Sequence, residues 1–169
     1  MKSSFLIVAF LVLLLQHPAT AQTGSVSEKA EGEDMPVGKV TRERLQSGEF
    51  GKYFSYNYTN YAPDQQVIDD LKNKIYSYDI IIVLGTWCSD SQRDVPRFYK
   101  ILDKLKYNTN SIKVYCVDRD KTAGNNDISG LNIERIPTFI FMKDGEEKGR
   151  IVESPQETLE KDMLEILNN

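Results

Sequence analysis

The sequence predicts an α/β domain in which a central mixed β-sheet is flanked by helices on both faces. Residues 79–85 and 111–120 have the apolar character of buried central strands. Residues 137–153 predict a β-hairpin that turns at Asp144-Gly145. Helical segments precede, separate and follow these strands. The predicted order is helix, strand, helix, strand, helix, strand, strand, helix, so a parallel half is followed by an antiparallel hairpin.

The first 21 residues predict a secretory signal peptide. A positive charge at Lys2, an apolar run over residues 5–15 and the small residues 19–21 form the expected pattern, with cleavage before Gln22. The apolar run spans about 16 Å as a helix, roughly half the thickness of the hydrocarbon core of a bilayer. We therefore expect an exported protein without membrane insertion after cleavage. A bacterial periplasm is the preferred location, and secretion is the alternative.

The composition excludes several classes of protein. His17 is the only histidine, and it lies in the predicted signal peptide. The mature chain would therefore lack the imidazole base of Cys-His and Ser-His hydrolases. The net charge is −4 and the chain has two cysteines. This charge, without a basic patch, argues against nucleic acid as a partner. We expect no metal and no cofactor.

The residues after the signal peptide divide into two polar segments. Residues 22–39 predict a flexible leader, and residues 40–62 an N-terminal extension. In the extension, a short helix is expected to end at Gly48. A strand with one buried face is expected after it, because aromatic residues alternate with small or polar ones. The alternating aromatic residues are Phe54, Tyr56 and Tyr58. A glycosylation sequon covers residues 57–59, which matters only in a eukaryotic host.

Residues 63–169 are predicted to form the compact domain. Pro63 marks the start of its first helix. A short helix is expected within residues 128–135. The last helix is predicted to begin with a capping box made by Ser154 and Glu157. The longest helix follows Cys88 and has its apolar residues at helical spacing. These apolar residues are Val95, Phe98, Tyr99, Leu102 and Leu105.

Two motifs about fifty residues apart carry the chemical signal. Residues 85–96, GTWCSDSQRDVP, leave a buried strand with a Trp-Cys pair and place Pro96 eight positions after Cys88. Residues 135–146, RIPTFIFMKDGE, join an Ile-Pro-Thr strand to a Gly turn. In this order, both motifs resemble those of the thioredoxin family. Over roughly residues 66–167 the chain looks like an exported thioredoxin-like protein with a Cys-x-x-Ser motif.

The resemblance implies a thioredoxin-like fold with a reactive thiol at Cys88 and a shielding Trp87. A cysteine in the first turn of a helix lies among unpaired N–H groups, which stabilise its thiolate. The resemblance also implies that the proline after Ile136 is cis and faces the sulfur. A substrate peptide could then pair as an added strand beside Ile136, Pro137 and Thr138. The expected partners are thiols or disulfides of proteins or small molecules.

Ser91 is the first departure from the family pattern. It stands where dithiol members carry a second cysteine, which attacks the mixed disulfide and releases the product. A hydroxyl does not replace a thiolate in this reaction. Cys88, Ser91 and Trp87 are therefore the predicted catalytic group of a site that forms a mixed disulfide but does not resolve it unaided.

Two further departures affect the charges around Cys88. An ungapped alignment puts Ile82 where the family carries a buried Asp, and Cys116 where it carries the Lys partner of that Asp. Cys116 is predicted to be a buried, inert thiol. Asp90 opposes formation of the Cys88 thiolate, whereas Arg93 one turn further on offsets that effect.

Two functions of different classes remain open. The first is an exported thiol protein that uses Cys88 in mixed-disulfide exchange, isomerisation or thiol trapping. The second is a redox-inactive binding or chaperone-like module of the cell envelope. A cysteine-dependent peroxidase is disfavoured, because family peroxidases carry Thr or Ser three residues before the cysteine and this chain carries Gly85 there.

Overall fold

The computed structural model describes residues 35–169. The predicted signal peptide and residues 22–34 of the predicted leader lie outside the described residues. The elements are β1 (Gly38–Val40), α1 (Arg42–Leu45), α2 (Gly48–Asn60), α3 (Gln65–Leu71), β2 (Asp79–Leu84), α4 (Ser89–Lys104), β3 (Lys113–Cys116), β4 (Thr138–Lys143), β5 (Glu146–Val152) and α5 (Leu159–Asn168). This part of the chain also contains 3₁₀ turns at Ile75–Ser77, Thr109–Ser111 and Ser129–Leu131. None of its helices is long and apolar enough to cross a membrane.

The five strands form one mixed sheet in the order β1-β3-β2-β4-β5. β2 and β3 are parallel, with Leu84 opposite Cys116, whereas β4 is antiparallel to both β2 and β5. The predicted parallel half and hairpin are therefore confirmed. β1 is an unpredicted edge strand that pairs antiparallel with β3. It includes Gly38 and Lys39, so the predicted leader was wrong over its last two residues.

The sheet separates two hydrophobic clusters of unequal size. Alternate residues of β2 face opposite sides, as strand geometry requires. Ile82 and Leu84 join the larger cluster, to which all five α-helices contribute buried side chains. Ile81 and Val83 join the smaller cluster, which is covered by the segment over residues 117–137. The predicted α/β class is confirmed. Helices were expected on both faces of the sheet, but on the face of the smaller cluster the only helical element of the described residues is the 3₁₀ turn Ser129–Leu131.

The strand predicted in the aromatic stretch of the extension is wrong, because these residues form α2. Residues four apart share a face in both a strand and a helix, so Phe54 and Tyr58 fit either period. Phe50 extends the same helical face, and Phe50 and Phe54 are buried, whereas Tyr56 is 69% exposed. Gly48 is also not the end of a helix. It is the first residue of α2, with a φ of 62°.

The predicted capping box at the last helix is also wrong. α5 begins later, and its N-cap residue Thr158 accepts a hydrogen bond from the backbone N–H of Lys161. Ser154 instead accepts a hydrogen bond from Arg93 (2.9 Å), and Glu157 forms an ion pair with Lys161. The spacing of Ser154 and Glu157 suits a capping box, but Ser154 contacts α4 and does not cap α5.

A half-buried ionic cluster joins the extension to α4. Arg42 donates two hydrogen bonds to Asp103 (2.7 and 2.6 Å), and the Tyr58 hydroxyl donates to the same carboxylate (2.6 Å). Burial raises the pKa of Asp103, but the hydrogen bonds from Arg42 and Tyr58 outweigh it and hold this pKa below its usual value. The guanidinium of Arg42 also lies 4.8 Å from the ring centre of Tyr99.

Candidate thiol site

Cys88 lies at the junction between a central strand and the longest helix. The apolar strand β2 ends at Leu84, and a turn follows in which the Cys88 N–H donates to the Gly85 carbonyl (2.9 Å). Cys88 is the N-cap residue of α4, and its carbonyl accepts the first helical hydrogen bond from Gln92 (2.9 Å). The thiol therefore lies at the start of a helix, where the first N–H groups have no partner within the helix, and it is partly exposed.

The Ile136–Pro137 peptide is cis and lies beside the thiol, as the family resemblance implies. The Cys88 thiol donates a weak hydrogen bond to the Ile136 carbonyl, with 3.5 Å between Sγ and O. Ile136 and Pro137 are buried. The structure thus brings the Cys88 thiol and the predicted peptide-binding backbone into direct contact.

Two hydrogen bonds hold the loop that carries the cis peptide. The hydroxyl of Thr138 donates to the Arg135 carbonyl (2.6 Å). The backbone N–H of Glu153 donates to the Pro137 carbonyl (2.7 Å). Thr138 is 1% exposed, so its side chain supports the loop from inside the protein. Its predicted role in substrate binding remains a prediction, and it would act through the backbone.

Ser91 lies beneath the site. Its side chain is 0% exposed, and its hydroxyl oxygen accepts a hydrogen bond from the Gly85 N–H (3.4 Å). The residue that replaces the second cysteine therefore has a structural contact with the turn before Cys88. The catalytic role of Ser91 stays a prediction.

Trp87 lies between the residue that follows β3 and a cation. Its indole N–H donates to the Val117 carbonyl (3.2 Å), and the guanidinium of Arg119 lies 4.9 Å from the ring centre. Arg119 is not among the predicted site residues. Leu84 and Cys116 lie opposite each other at the ends of β2 and β3. Trp87 follows Leu84 by three positions, and Arg119 follows Cys116 by three positions. Since parallel strands end at the same edge of a sheet, this spacing was the available sequence signal.

Arg93 forms an ion pair with Asp90, with 2.8 Å between the charged atoms. Its closest charged partner is Asp94, which accepts two hydrogen bonds (2.9 and 2.6 Å) and is 1% exposed. The hydrogen bond to Asp94 raises the pKa of Arg93 against the opposing effect of burial. Asp94 was missed as part of this network, because an aspartate in a helix is usually exposed.

Cys116 is confirmed as a buried thiol. It is 0% exposed and belongs to the larger cluster together with Ile82, on the face of the sheet opposite to the cluster against which Cys88 packs. Burial raises the pKa of Cys116 to about 12. The positions that would carry the buried Asp–Lys pair are therefore occupied by an apolar side chain and a neutral thiol.

A surface groove lies outside the Cys88 site. It has a volume of about 540 Å³ and is lined by residues within the range 121–134, which include none of the predicted site residues. Residues 35–169 contain no group of three or more His, Cys, Asp or Glu residues that could hold a metal ion.

A family model described as Thioredoxin matches residues 51–165 of the chain. The match covers more than half of the sequence, and the chain belongs to the thioredoxin family. The match begins inside α2, so the family region starts before residue 63. Family membership indicates a thiol redox function in general terms, with protein thiols as the usual partners. No curated protein matches the chain in sequence.

Several solved structures are similar to the chain. A protein of unknown function from Pseudomonas aeruginosa has 17% identity and a TM-score of 0.47, covering 70% of this chain and 79% of that chain. Thioredoxin O1 from Arabidopsis thaliana in the oxidized state has 24% identity and a TM-score of 0.38, covering 60% and 89%. The reduced Schistosoma mansoni thioredoxin pre-protein has 28% identity and a TM-score of 0.34, covering 53% and 78%.

Proposed function

We propose that the chain is an exported thiol protein that acts through Cys88 alone, in mixed-disulfide exchange, isomerisation or thiol trapping. The observation that carries this proposal is the separation of the two cysteines. Cys88 is partly exposed at the start of α4, whereas Cys116 is buried on the opposite face of the sheet. The chain has no other cysteine, and Ser91 occupies the position from which a second thiol would act.

In the proposed reaction, the Cys88 thiolate attacks one sulfur of a substrate disulfide. A new S–S bond forms to Cys88, and the other substrate sulfur leaves as a thiolate and takes a proton from water. The first-turn N–H groups of α4 stabilise the attacking thiolate. The Ile136 carbonyl oxygen lies 3.5 Å from the sulfur, and the ion pair of Asp90 with Arg93 reduces the repulsion between that carboxylate and the thiolate.

Release of the substrate requires a thiol from outside the protein. An external thiolate, or the second cysteine of the substrate, attacks the substrate sulfur of the mixed disulfide and regenerates the Cys88 thiolate. Attack by the substrate's own cysteine returns the substrate with a rearranged or restored disulfide, so no net reduction occurs. This balance favours isomerisation or trapping over net reduction.

The proposal is tested by incubating the folded protein with a peptide disulfide and measuring the adduct by mass spectrometry. With a peptide that carries a single cysteine, no second substrate cysteine can attack, and we expect an adduct on Cys88 that accumulates and disappears when a small thiol is added. Cys88→Ala should abolish the adduct, whereas the matched variant Cys116→Ala should retain it. An adduct that forms equally well in Cys88→Ala would refute the proposal.

A redox-inactive binding module is a second candidate function. The observation that favours it is the apolar character of the positions beneath the site, where Ile82 and Cys116 belong to one hydrophobic cluster. No proton acceptor is available there for a second thiol. This candidate requires that partners captured from an envelope extract bind equally well to wild type and Cys88→Ser, and thiol-dependent capture would exclude it.

Export is proposed from the N-terminal sequence pattern alone, with the periplasm as the preferred compartment. N-terminal sequencing of the protein recovered from the envelope or medium of an expressing cell tests this proposal. We expect a mature chain that begins at Gln22. A chain that retains Met1 in the cytoplasm would contradict both the cleavage and the location.

A further inference from the structure

The helix that begins at Cys88 contains a proline about two turns after its start. Pro96 lies inside α4. Because proline has no N–H group, the carbonyl of Gln92 four residues earlier has no helical donor at that position. A buried or half-buried carbonyl without a partner is destabilising, so another donor is needed. The unpaired carbonyl would lie in the first turn after Cys88.

Asn57 of α2 supplies a donor from outside the helix. Its side-chain amide nitrogen lies 3.1 Å from the Gln92 carbonyl oxygen and 3.1 Å from the Tyr53 carbonyl oxygen. An asparagine amide has two N–H donors, and these two contacts use both. The acceptor nitrogen of the sequon at residues 57–59 is therefore already engaged within the fold.

Gln92 connects this contact to the thiol. Its backbone N–H donates to the Cys88 carbonyl (2.9 Å), and its side-chain amide donates to the Thr86 carbonyl (2.8 Å). Both acceptors belong to the turn that carries the sulfur. We propose that Asn57 is a positioning residue for Cys88: it satisfies the Gln92 carbonyl left free by Pro96 and so holds the first turn of α4 against the thiol.

The inference deepens the proposed function and rests on Cys88 as the working thiol. It is tested by the rate at which iodoacetamide alkylates Cys88 at pH 7 in a Cys116→Ala background. In Asn57→Ala, we expect a rate about fivefold lower, the factor that corresponds to one ordinary hydrogen bond. The reason is that a loosened first turn no longer directs its N–H groups at the thiolate.

Asn60→Ala is the matched control. The Asn60 amide donates to the Tyr56 carbonyl (2.8 Å) within the same helix and is exposed. We expect this variant to keep the wild-type alkylation rate. An equal decrease in Asn60→Ala and Asn57→Ala would overturn the inference, because the effect would then come from α2 in general.

A rescue experiment isolates the role of the proline. Pro96→Ala restores an N–H group that can donate to the Gln92 carbonyl, so Asn57→Ala should lower the rate less than about twofold in that background. An equal loss in both backgrounds, or no loss in either, would overturn the inference. Circular dichroism confirms that each variant is folded, and NMR hydrogen exchange at the Gln92 amide should be faster in Asn57→Ala.

This experiment separates the inference from the proposed function. Alkylation requires a reactive Cys88 but no disulfide substrate and no release step. If disulfide adducts do not form while the Asn57 effect and its rescue persist, the proposed function fails and the positioning role stands. If adducts form on Cys88 and Asn57→Ala changes neither the rate nor the exchange, the positioning role fails alone.

Discussion

The surroundings of the two cysteines differ in every respect that governs thiol chemistry. Cys88 begins a helix, is partly exposed and contacts the carbonyl of a cis peptide bond. Cys116 is the last residue of β3, is 0% exposed and has its pKa raised to about 12 by burial. Leu84 lies opposite Cys116 in the sheet, and Cys88 follows Leu84 by only four residues. We therefore expect the face of the sheet and the local backbone, rather than proximity along the fold, to decide which thiol reacts.

The difference also supports the proposal that Cys88 acts without Cys116. β2 and β3 alternate their side chains between the two hydrophobic clusters, so Cys116 packs with Ile82 and Leu84 while Cys88 packs with Trp87 against the other cluster. Moving a side chain of β3 to the other face requires a shift of register by one residue. The sheet itself thus keeps the two thiols apart.

The largest expected effect is a contrast in alkylation between the two cysteines. In the folded protein, iodoacetamide should modify Cys88 at least about a thousandfold faster than Cys116, since a buried thiol reacts only when the surrounding structure opens. The rates are measured by mass spectrometry of Cys88→Ala and Cys116→Ala, each of which leaves one thiol. Denaturant should make the two rates equal, and similar rates in the native state would contradict the comparison.

The next effect is a loss of stability at alkaline pH that comes from Cys116. Below the ordinary thiol pKa of about 8.5, folded and unfolded chains both hold the proton. Above it, the unfolded chain loses a proton that the folded chain keeps until about pH 12. The free energy of unfolding should therefore fall by about 1.4 kcal/mol per pH unit within this window.

Denaturant unfolding at pH 7.5 and pH 10 checks this prediction by comparing wild type with Cys116→Ala and Cys116→Val. Both variants should lose the part of the pH dependence that belongs to the thiol, whatever they do to packing at pH 7.5. Parallel pH curves for wild type and both variants would show that Cys116 ionises in the folded state as easily as in the unfolded one.

Much of the fold could be predicted from the sequence, because the strands β2 and β4 have unmistakable apolar runs. The thiol at a helix start and the Ile136–Pro137 contact also follow from local motifs and their order. What could not be predicted depends on contacts between distant segments. β1 has only three residues, α2 has a spacing that suits both strand and helix, and the partner of Gln92 is 35 positions away in the sequence.

A smaller effect is expected from adding a methyl group at Gly85, where the nearest atoms belong to residues around Cys88 and not to Cys116. An added Cβ would lie 2.7 Å from the Ile136 side chain and 2.8 Å from the Trp87 ring. Gly85→Ala should therefore lower the free energy of unfolding by about 1–3 kcal/mol. It should also change the fluorescence of Trp87, the only tryptophan of the chain.

Gly130→Ala is the control for this substitution, because no atom lies within 4 Å of its added Cβ. We expect a change in the free energy of unfolding within about 0.5 kcal/mol. If Gly85→Ala is equally neutral and leaves the fluorescence unchanged, the Trp87 side chain does not pack against the turn as described.

The smallest expected effect comes from the hydroxyl of Thr138 under the cis-peptide loop. Thr138→Val keeps the shape of the side chain but removes the hydrogen bond to the Arg135 carbonyl, which should lower the free energy of unfolding by about 1 kcal/mol. Thr138→Ser retains the hydroxyl and should keep the bond, although it loses a buried methyl group. Because the loop contacts Cys88 and not Cys116, Thr138→Val should change the alkylation rate of Cys88 while Cys116 stays protected. A change confined to the alkylation rate of Cys116 would mean that the two faces of the sheet are coupled through β4. The contrast between the two cysteines could then not be explained by their lying on different faces.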